Sequence, residues 1–243
     1  MIDTYKVLSA LLSYPQKDLL DAIAPFSEVL RREKLLPSAY LEPLETFIRE
    51  TASSDLYELQ ERYVWLFDRT RSLSLNLFEH VHGESRERGQ AMIDLLRTYE
   101  EHGLTPSAKE LPDYLPLFLE FLATLEKPEA ARLLGEAGHV LAALKVRLEK
   151  RKSGYGDVFN ALVFLAGAED DAPAVAALLD GEDDDPGDLA ALDKVWEESA
   201  VTFGPDAEQG CPVARDMLSE MAAPSPSSRN ERPIPPASAP AGR

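Results

Sequence analysis

The chain has 243 residues, 44% hydrophobic and 28% charged, an ordinary globular composition with enough length for one large domain or two small ones. Its formal charge of −18 argues against nucleic acid, whose binding rests on lysine and arginine neutralising phosphates, and points to a basic partner. The only cysteine is Cys211, which excludes an intramolecular disulfide and a multi-thiolate zinc or iron–sulfur site within the chain.

The N-terminal MIDTYKVLSALLSYP carries Asp3 and Lys6 but lacks the basic head and continuous apolar stretch of a secretory signal. No apolar run approaches the roughly 20 residues that cross a bilayer. A soluble cytoplasmic protein without stable membrane insertion is therefore expected. Apolar residues recur almost throughout at helical spacing, with no series of alternating strands, so the fold class reads as all-α, a single-domain helical bundle.

Leu56, Leu59, Tyr63, Leu66 and Phe67 draw one stripe along a helix and should face the core. After Gly83, a helix over Glu84 to His102 places Ala91, Met92, Leu95, Leu96 and Tyr99 on one side, with Gly103 as its stop. Glu84 with Arg88, and Arg97 with Glu101, stand at i,i+4 and are predicted to pair. From Asp113 to Leu125 the pattern is apolar nearly all round, as in a central bundle helix, and Pro112 and Pro116 fit only in or just before its first turn. Residues Pro128 to Lys152 read as the longest helix, with Leu134, Ala137, Leu141, Leu144 and Leu148 inward. Glutamates lie early in it and Lys145, Arg147, Lys150, Arg151 and Lys152 late, the polarity a helix dipole favours. Ser153 and Gly154 end it, and Val158, Phe159, Leu162, Val163 and Leu165 suggest one more buried helix.

Between Glu169 and Glu198 twelve acidic residues face one lysine, which reads as a solvated acidic segment or an electrostatic lure for a basic peptide. The last twenty residues, from Pro224 to Arg243, include six prolines and almost no large apolar side chain, the composition of a disordered tail. The predicted organisation is thus a helical domain over 1–205 containing the acidic segment 169–198, then an extension over 206–243 that is disordered from 224.

Chemistry-bearing residues concentrate in SLSLNLFEHVHGESRERGQAMIDLL, Ser72 to Leu96. His80 and His82, with Glu79 and Glu84, have donor types that suit zinc, yet a site needs at least one distant ligand, and the only other histidines are His102 and His139. A metal-dependent helical hydrolase is one reading of that pair, and a general helical adaptor is another. Asp113 can hold a first helical turn through the dipole, whereas Glu120, inside an apolar helix, must face solvent or pair with a cation. No Walker A loop, G-x-G-x-x-G or G-x-S-x-G occurs.

Three ordered motifs, YVWLFDR at Tyr63 to Arg69, the stretch from Ser72 to Leu96, and ELPDYLPLFLEFL at Glu110 to Leu122, resemble the NarJ family of respiratory nitrate reductase assembly chaperones. The early LLSYP and late VWEESAVTF extend the resemblance over roughly Met1 to Phe203. The wider TorD and DmsD superfamily is similar chiefly in Y-x-x-L-F and E-x-P-D, and Tyr114 stands where those relatives often have histidine. The resemblance implies an all-helical, non-enzymatic chaperone, with no cofactor or metal of its own. Its partner would be the apo catalytic (alpha) subunit of respiratory nitrate reductase, bound through its N-terminal segment before membrane attachment, with molybdenum cofactor delivery proteins as further partners. Leu66, Phe67, Asp68, Glu79, His80, His82, Glu84, Asp113, Tyr114 and Glu120 are the expected peptide-contact residues. The apolar members would build a groove, the carboxylates would attract cations, and the histidines would tune the surface near neutral pH.

Overall fold

The computed structural model describes residues 2–83, 85–106, 110–168 and 172–180, all of which fall in a unit spanning Met1–Asp193. The expected boundary at 205, the acidic run 182–186, Cys211 and the tail from 224 lie outside the described residues. Helices α1 (Asp3–Leu12), α2 (Lys17–Ala22), α3 (Phe26–Glu33) and α4 (Ser38–Ser53) open the chain. Next comes α5 (Leu56–Tyr63), which runs into a π-helical turn at Val64–Asp68, followed by a 3₁₀ turn at Arg71–Leu73. After these come α6 (Leu77–His82), α7 (Arg86–Glu101), α8 (Leu115–Leu122), α9 (Lys127–Glu136), α10 (Gly138–Lys150), α11 (Tyr155–Ala166) and α12 (Ala172–Leu179). Among the described residues the only β-type pairing is an isolated antiparallel bridge between Asn76 and Tyr114.

The core forms where α11 packs on α10, α4 and α9, and where α1 packs on α8. Leu8, Leu12, Leu115, Leu119, Leu122, Leu141, Leu144, Val158, Phe159 and Leu162 are fully enclosed there. The apolar pattern read from 113 to 125 condenses to the two-turn α8, with Pro116 at its second position, where a missing amide hydrogen costs nothing. A buried Ser9 hydroxyl donates to the Pro116 carbonyl at 2.8 Å and ties α1 to α8.

The predicted helix from Pro128 to Lys152 is in fact two, α9 and α10, broken at Ala137. Close approach accompanies the break: a Cβ added at Gly138 would stand 2.5 Å from the Ala168 Cβ, and one at Gly135 would stand 3.2 Å from the Ala166 carbonyl. Two glycines thus let the end of α11 lie against the joint, a contact that an unbroken apolar stripe does not announce. The inward leucines of both halves are nevertheless as expected, since Leu134, Leu141, Leu144 and Leu148 are all fully buried. Arg147 departs from the helix-dipole reading. It is 5% exposed and donates to the Ser72 carbonyl at 2.9 Å and the Leu178 carbonyl at 2.7 Å, joining α10 to the 3₁₀ turn and to α12. The stretch 172–179, read as part of a solvated acidic segment, is accordingly a helix packed on α10. At the end of α7 Gly103 has φ +74, and Leu104 and Gly103 donate back to Tyr99 and Glu100, the Schellman closure expected of that glycine.

The N-terminus of α1 has no cap of its own and borrows one from α3. Both Glu33 carboxylate oxygens accept bonds, one from the Asp3 amide at 2.9 Å and the other from the Thr4 amide at 2.8 Å and the Thr4 hydroxyl at 2.6 Å. Partial burial works against ionisation, but the Thr4 and Asp3 donors and Lys127 outweigh it and hold the carboxyl below its ordinary value. A group with a lowered folded pKa contributes stability that is present above the unfolded pKa and lost as pH falls through the folded one. Glu33→Gln is therefore expected to cost about 1 kcal/mol at neutral pH, the worth of a helix cap, and to flatten the acid limb of the stability profile. Urea unfolding at pH 7 and at pH values through the carboxylate range checks this, and an unchanged acid limb contradicts it.

Candidate functional site

Asp55 starts α5 by accepting amide bonds from Tyr57 at 2.8 Å and Glu58 at 3.4 Å. The predicted stripe holds through Leu59 and Tyr63, but the helix then widens, and the Arg69 amide reaches back five residues to the Val64 carbonyl at 3.0 Å. Such π turns often mark functional positions, because the extra residue re-aims the side chains around it. Here Leu66 and Phe67 both stay buried while Trp65 emerges, 41% exposed, with the Arg69 guanidinium 6.0 Å from its ring centroid. Asp68 also emerges at the surface. Leu66 and Phe67 both belong to the core, and Phe67, which packs on Tyr63 and Tyr155 with centroids 5.0 and 4.9 Å away, also lines a cleft.

Two motifs distant in sequence are sewn together beside this turn. The Leu115 amide donates to the Leu75 carbonyl at 2.8 Å, and the Leu77 amide donates to the Asp113 carbonyl at 3.1 Å. The Asp113 side chain adds a third bond, its Oδ2 accepting from the Phe78 amide at 3.0 Å. Asp113 thus caps α6 and not the helix that follows it, and at 0% exposure it does not meet an approaching cation. Its other oxygen, Oδ1, has no hydrogen-bond partner among the described residues. Burial pushes this carboxyl above its ordinary value, although the Phe78 amide and Arg88 pull the other way.

The α6 residues are committed to neighbours as well. Glu79 pairs with Arg88 of α7 at 3.1 Å, so Arg88 serves Glu79, and Arg97 pairs with Asp94 at 3.5 Å instead of the Glu101 predicted from spacing. The partner predicted for Arg88, Glu84, lies outside the described residues. His80 Nε2 donates to the Ser74 carbonyl at 2.8 Å. Burial, helped by Arg147 and opposed by the Ser74 carbonyl and Glu79, lowers the His80 pKa and so disfavours the charged form through which this ring was expected to tune the surface. His82 stacks edge-on against Phe78, with centroids 5.8 Å apart, and its Nδ1 lies 3.9 Å from a Glu87 oxygen. Gly83, with φ +53 and ψ −129, then turns the chain in a conformation that side chains disfavour. Among the described residues no three His, Cys, Asp or Glu side chains gather as a metal would require, and the His80 Nε2 is already engaged in a hydrogen bond to a carbonyl.

A cleft of ≈ 380 Å³ opens where these motifs meet, walled by the rings of Tyr14, Tyr63, Phe67 and Tyr114 and edged by Asp68 and Glu110. The Tyr63 hydroxyl donates to the Leu12 carbonyl at 3.0 Å and accepts from the Tyr114 hydroxyl at 3.0 Å, so α1, α5 and the start of α8 share one hydrogen-bonded chain. Burial pushes both phenols above their ordinary value. Of the expected contact residues, Phe67, Asp68 and Tyr114 line this cleft. The sequence reading left out Tyr14 and Glu110 as contacts, although LLSYP and ELPDYLP contain them. On the other side of the 74–82 segment, Leu77, Phe78, Val81, Leu95, Phe118 and Val140 line an apolar groove of ≈ 370 Å³. Glu120 is exposed, as an unpaired carboxylate on an apolar helix must be, but it borders a different depression with Tyr99 and Phe121. No helix among the described residues is long and apolar enough to cross a membrane.

Fold and site together define an all-α bundle protein in which separate sequence motifs converge on an aromatic, acid-edged cleft. The chain belongs to the nitrate reductase delta subunit family, whose pattern matches residues 34–161. It is 44% identical over 207 residues to the nitrate reductase molybdenum cofactor assembly chaperone NarJ of Escherichia coli, covering 84% of this chain and 86% of that protein. It is 38% identical over 206 residues to the probable nitrate reductase molybdenum cofactor assembly chaperone NarW of the same organism, covering 85% and 86%. With the probable chaperone NarJ of Bacillus subtilis it shares 36% identity over 167 residues, covering 66% and 86%.

The Asp113 cap makes a measurable claim. Asp113→Ala leaves the Phe78 amide without its acceptor at a buried helix start and is expected to cost about 1–3 kcal/mol. Amide exchange at Phe78 should accelerate more than at Leu77, whose acceptor is the main-chain carbonyl of residue 113. Equal protection at both amides in the variant would show that the side chain is not the cap.

Proposed function

We propose that this protein is an assembly chaperone for a respiratory nitrate reductase, which holds the N-terminal segment of the apo catalytic subunit while the molybdenum cofactor is inserted. It acts in the cytoplasm, before the client attaches to the membrane, and it works by binding, with no chemical step of its own. The molybdenum cofactor is cargo for the client, brought by delivery proteins that dock while the client is held. What carries this reading is the meeting of the three ordered family motifs at one cleft, in a chain that shares 44% identity over 207 residues with a protein named for that task. The chemistry of the surface supports it. A short basic, amphipathic segment matches a chain of net charge −18 that offers aromatic and aliphatic depressions on the two sides of the 74–82 segment.

Calorimetry with a synthetic peptide of the catalytic subunit's N-terminus tests the reading. Binding should be strongest at low salt and should weaken as salt rises, because exposed carboxylates attract a basic ligand across a screening length of about 10 Å at 0.1 M. Absence of binding at low salt would overturn the assembly role.

A further inference from the structure

Apolar recognition alone does not call for the lining of the motif cleft. Four aromatic rings wall it. Tyr14 meets Tyr63 edge-on with centroids 5.5 Å apart, Phe67 leans on Tyr63, and Tyr114 is tied to Tyr63 through the hydroxyls. Asp68 and Glu110 complete the edge, and among the described residues neither takes part in an ion pair. Their fields converge, since both carboxylates act on the Tyr114 hydroxyl and oppose its ionisation. Partial desolvation also pushes Asp68 above its ordinary value, and no ion pair among the described residues offsets it.

Resting on the assembly reading above, we propose that this cleft is a subsite for one arginine side chain of the client segment, its guanidinium held against the tyrosine rings and shared between Asp68 and Glu110. The size is appropriate. A volume of ≈ 380 Å³ lies at the low end of the roughly 300–1,000 Å³ that enclose a small ligand, room for one side chain and not for a folded element. The chemistry selects the guanidinium. It is planar and stacks on aromatic faces, carries donors for two carboxylates at once, and sheds water more readily than an ammonium. The negative field of the whole chain adds attraction before contact. The apolar groove beyond α6 then takes the aliphatic side chains of the same segment, so that one short peptide is read by charge on one side and by shape on the other.

The test uses the full chain labelled at tyrosine rings for NMR, titrated separately with N-acetyl-arginine-N-methylamide, its lysine analogue and its norleucine analogue. The arginine probe should shift the rings of Tyr14, Tyr63 and Tyr114, the lysine probe less so, and the norleucine probe not at all. The doubly substituted D68N/E110Q chain should bind the arginine probe about tenfold more weakly, as expected for losing charged hydrogen bonds. Tyr14→Leu, at a partly exposed position that does not carry the fold, should also weaken it. Equal responses to arginine and norleucine, or shifts confined to other tyrosines, would overturn the subsite. Capture of the nitrate reductase catalytic subunit from cells is scored in parallel. If D68N/E110Q captures it as well as the unsubstituted chain, the subsite is wrong while the assembly role stands. If the unsubstituted chain captures none, the assembly role fails and takes the client assignment of this subsite with it.

Discussion

The site depends on a clasp between two segments that are some forty positions apart in the chain. Asp113 supplies both its carbonyl and one carboxylate oxygen to successive amides, Leu77 at 3.1 Å and Phe78 at 3.0 Å, and the Leu115 amide answers with a bond to Leu75 at 2.8 Å. A helix of six residues such as α6 cannot nucleate alone, because its first turn fixes several dihedrals before any bond repays them. Held at its start by a fully buried carboxylate, it becomes a fixed wall. That wall separates the aromatic cleft, which Leu75 and Asn76 border, from the apolar groove, which Phe78 and Val81 border.

Around the clasp, buried polar groups are used as fasteners between helices. Arg147 spans from the carbonyl of Ser72 to that of Leu178, His80 bonds the carbonyl of Ser74, and Tyr63 connects Leu12 to Tyr114. Each satisfies a main-chain carbonyl that no helical amide reaches, at the turn around Ser72 and Ser74 or in the last turn of α1 at Leu12 and of α12 at Leu178, where an unsatisfied carbonyl would be costly. The result is a site on loops and short helices that is nonetheless pinned from several directions. Asp113 is the exception within this scheme, for its second oxygen has no hydrogen-bond partner among the described residues and burial disfavours its charge. The cap is therefore bought with desolvation.

Much of the scaffold could be read from the chain. Helical spacing identifies the inward leucines of α9 and α10, the buried faces of α8 and α11, and the Gly103 stop, since these follow from side-chain periodicity and from the one residue type at ease with positive φ. Where the reading failed, long-range contact was the cause. The division of 128–152 into two helices comes where Ala166, the last residue of α11, and Ala168 just beyond it lie close against Gly135 and Gly138, a contact that side-chain periodicity does not announce. Arg147 looks like any basic residue in a last turn until Ser72 and Leu178 arrive beside it. The ion pair of Arg88 with Glu79, a residue with which it shares no helix, is likewise invisible to helical spacing.

The division at the site follows the same line. Sequence by itself determined the fold class, the acidic character that favours a basic partner, and the ordered motifs that identify the family, because composition, periodicity and motif order are properties of the chain. Tertiary structure decided which motif residues share a surface. It sent Asp113 inward, tied His80 to a carbonyl, placed Glu120 at another depression, and brought Tyr14 and Glu110 to the side of Phe67, Asp68 and Tyr114. The physical reason lies in what each bond requires. A side chain's burial, and so its charge and its availability to a partner, is set by neighbours that only folding supplies.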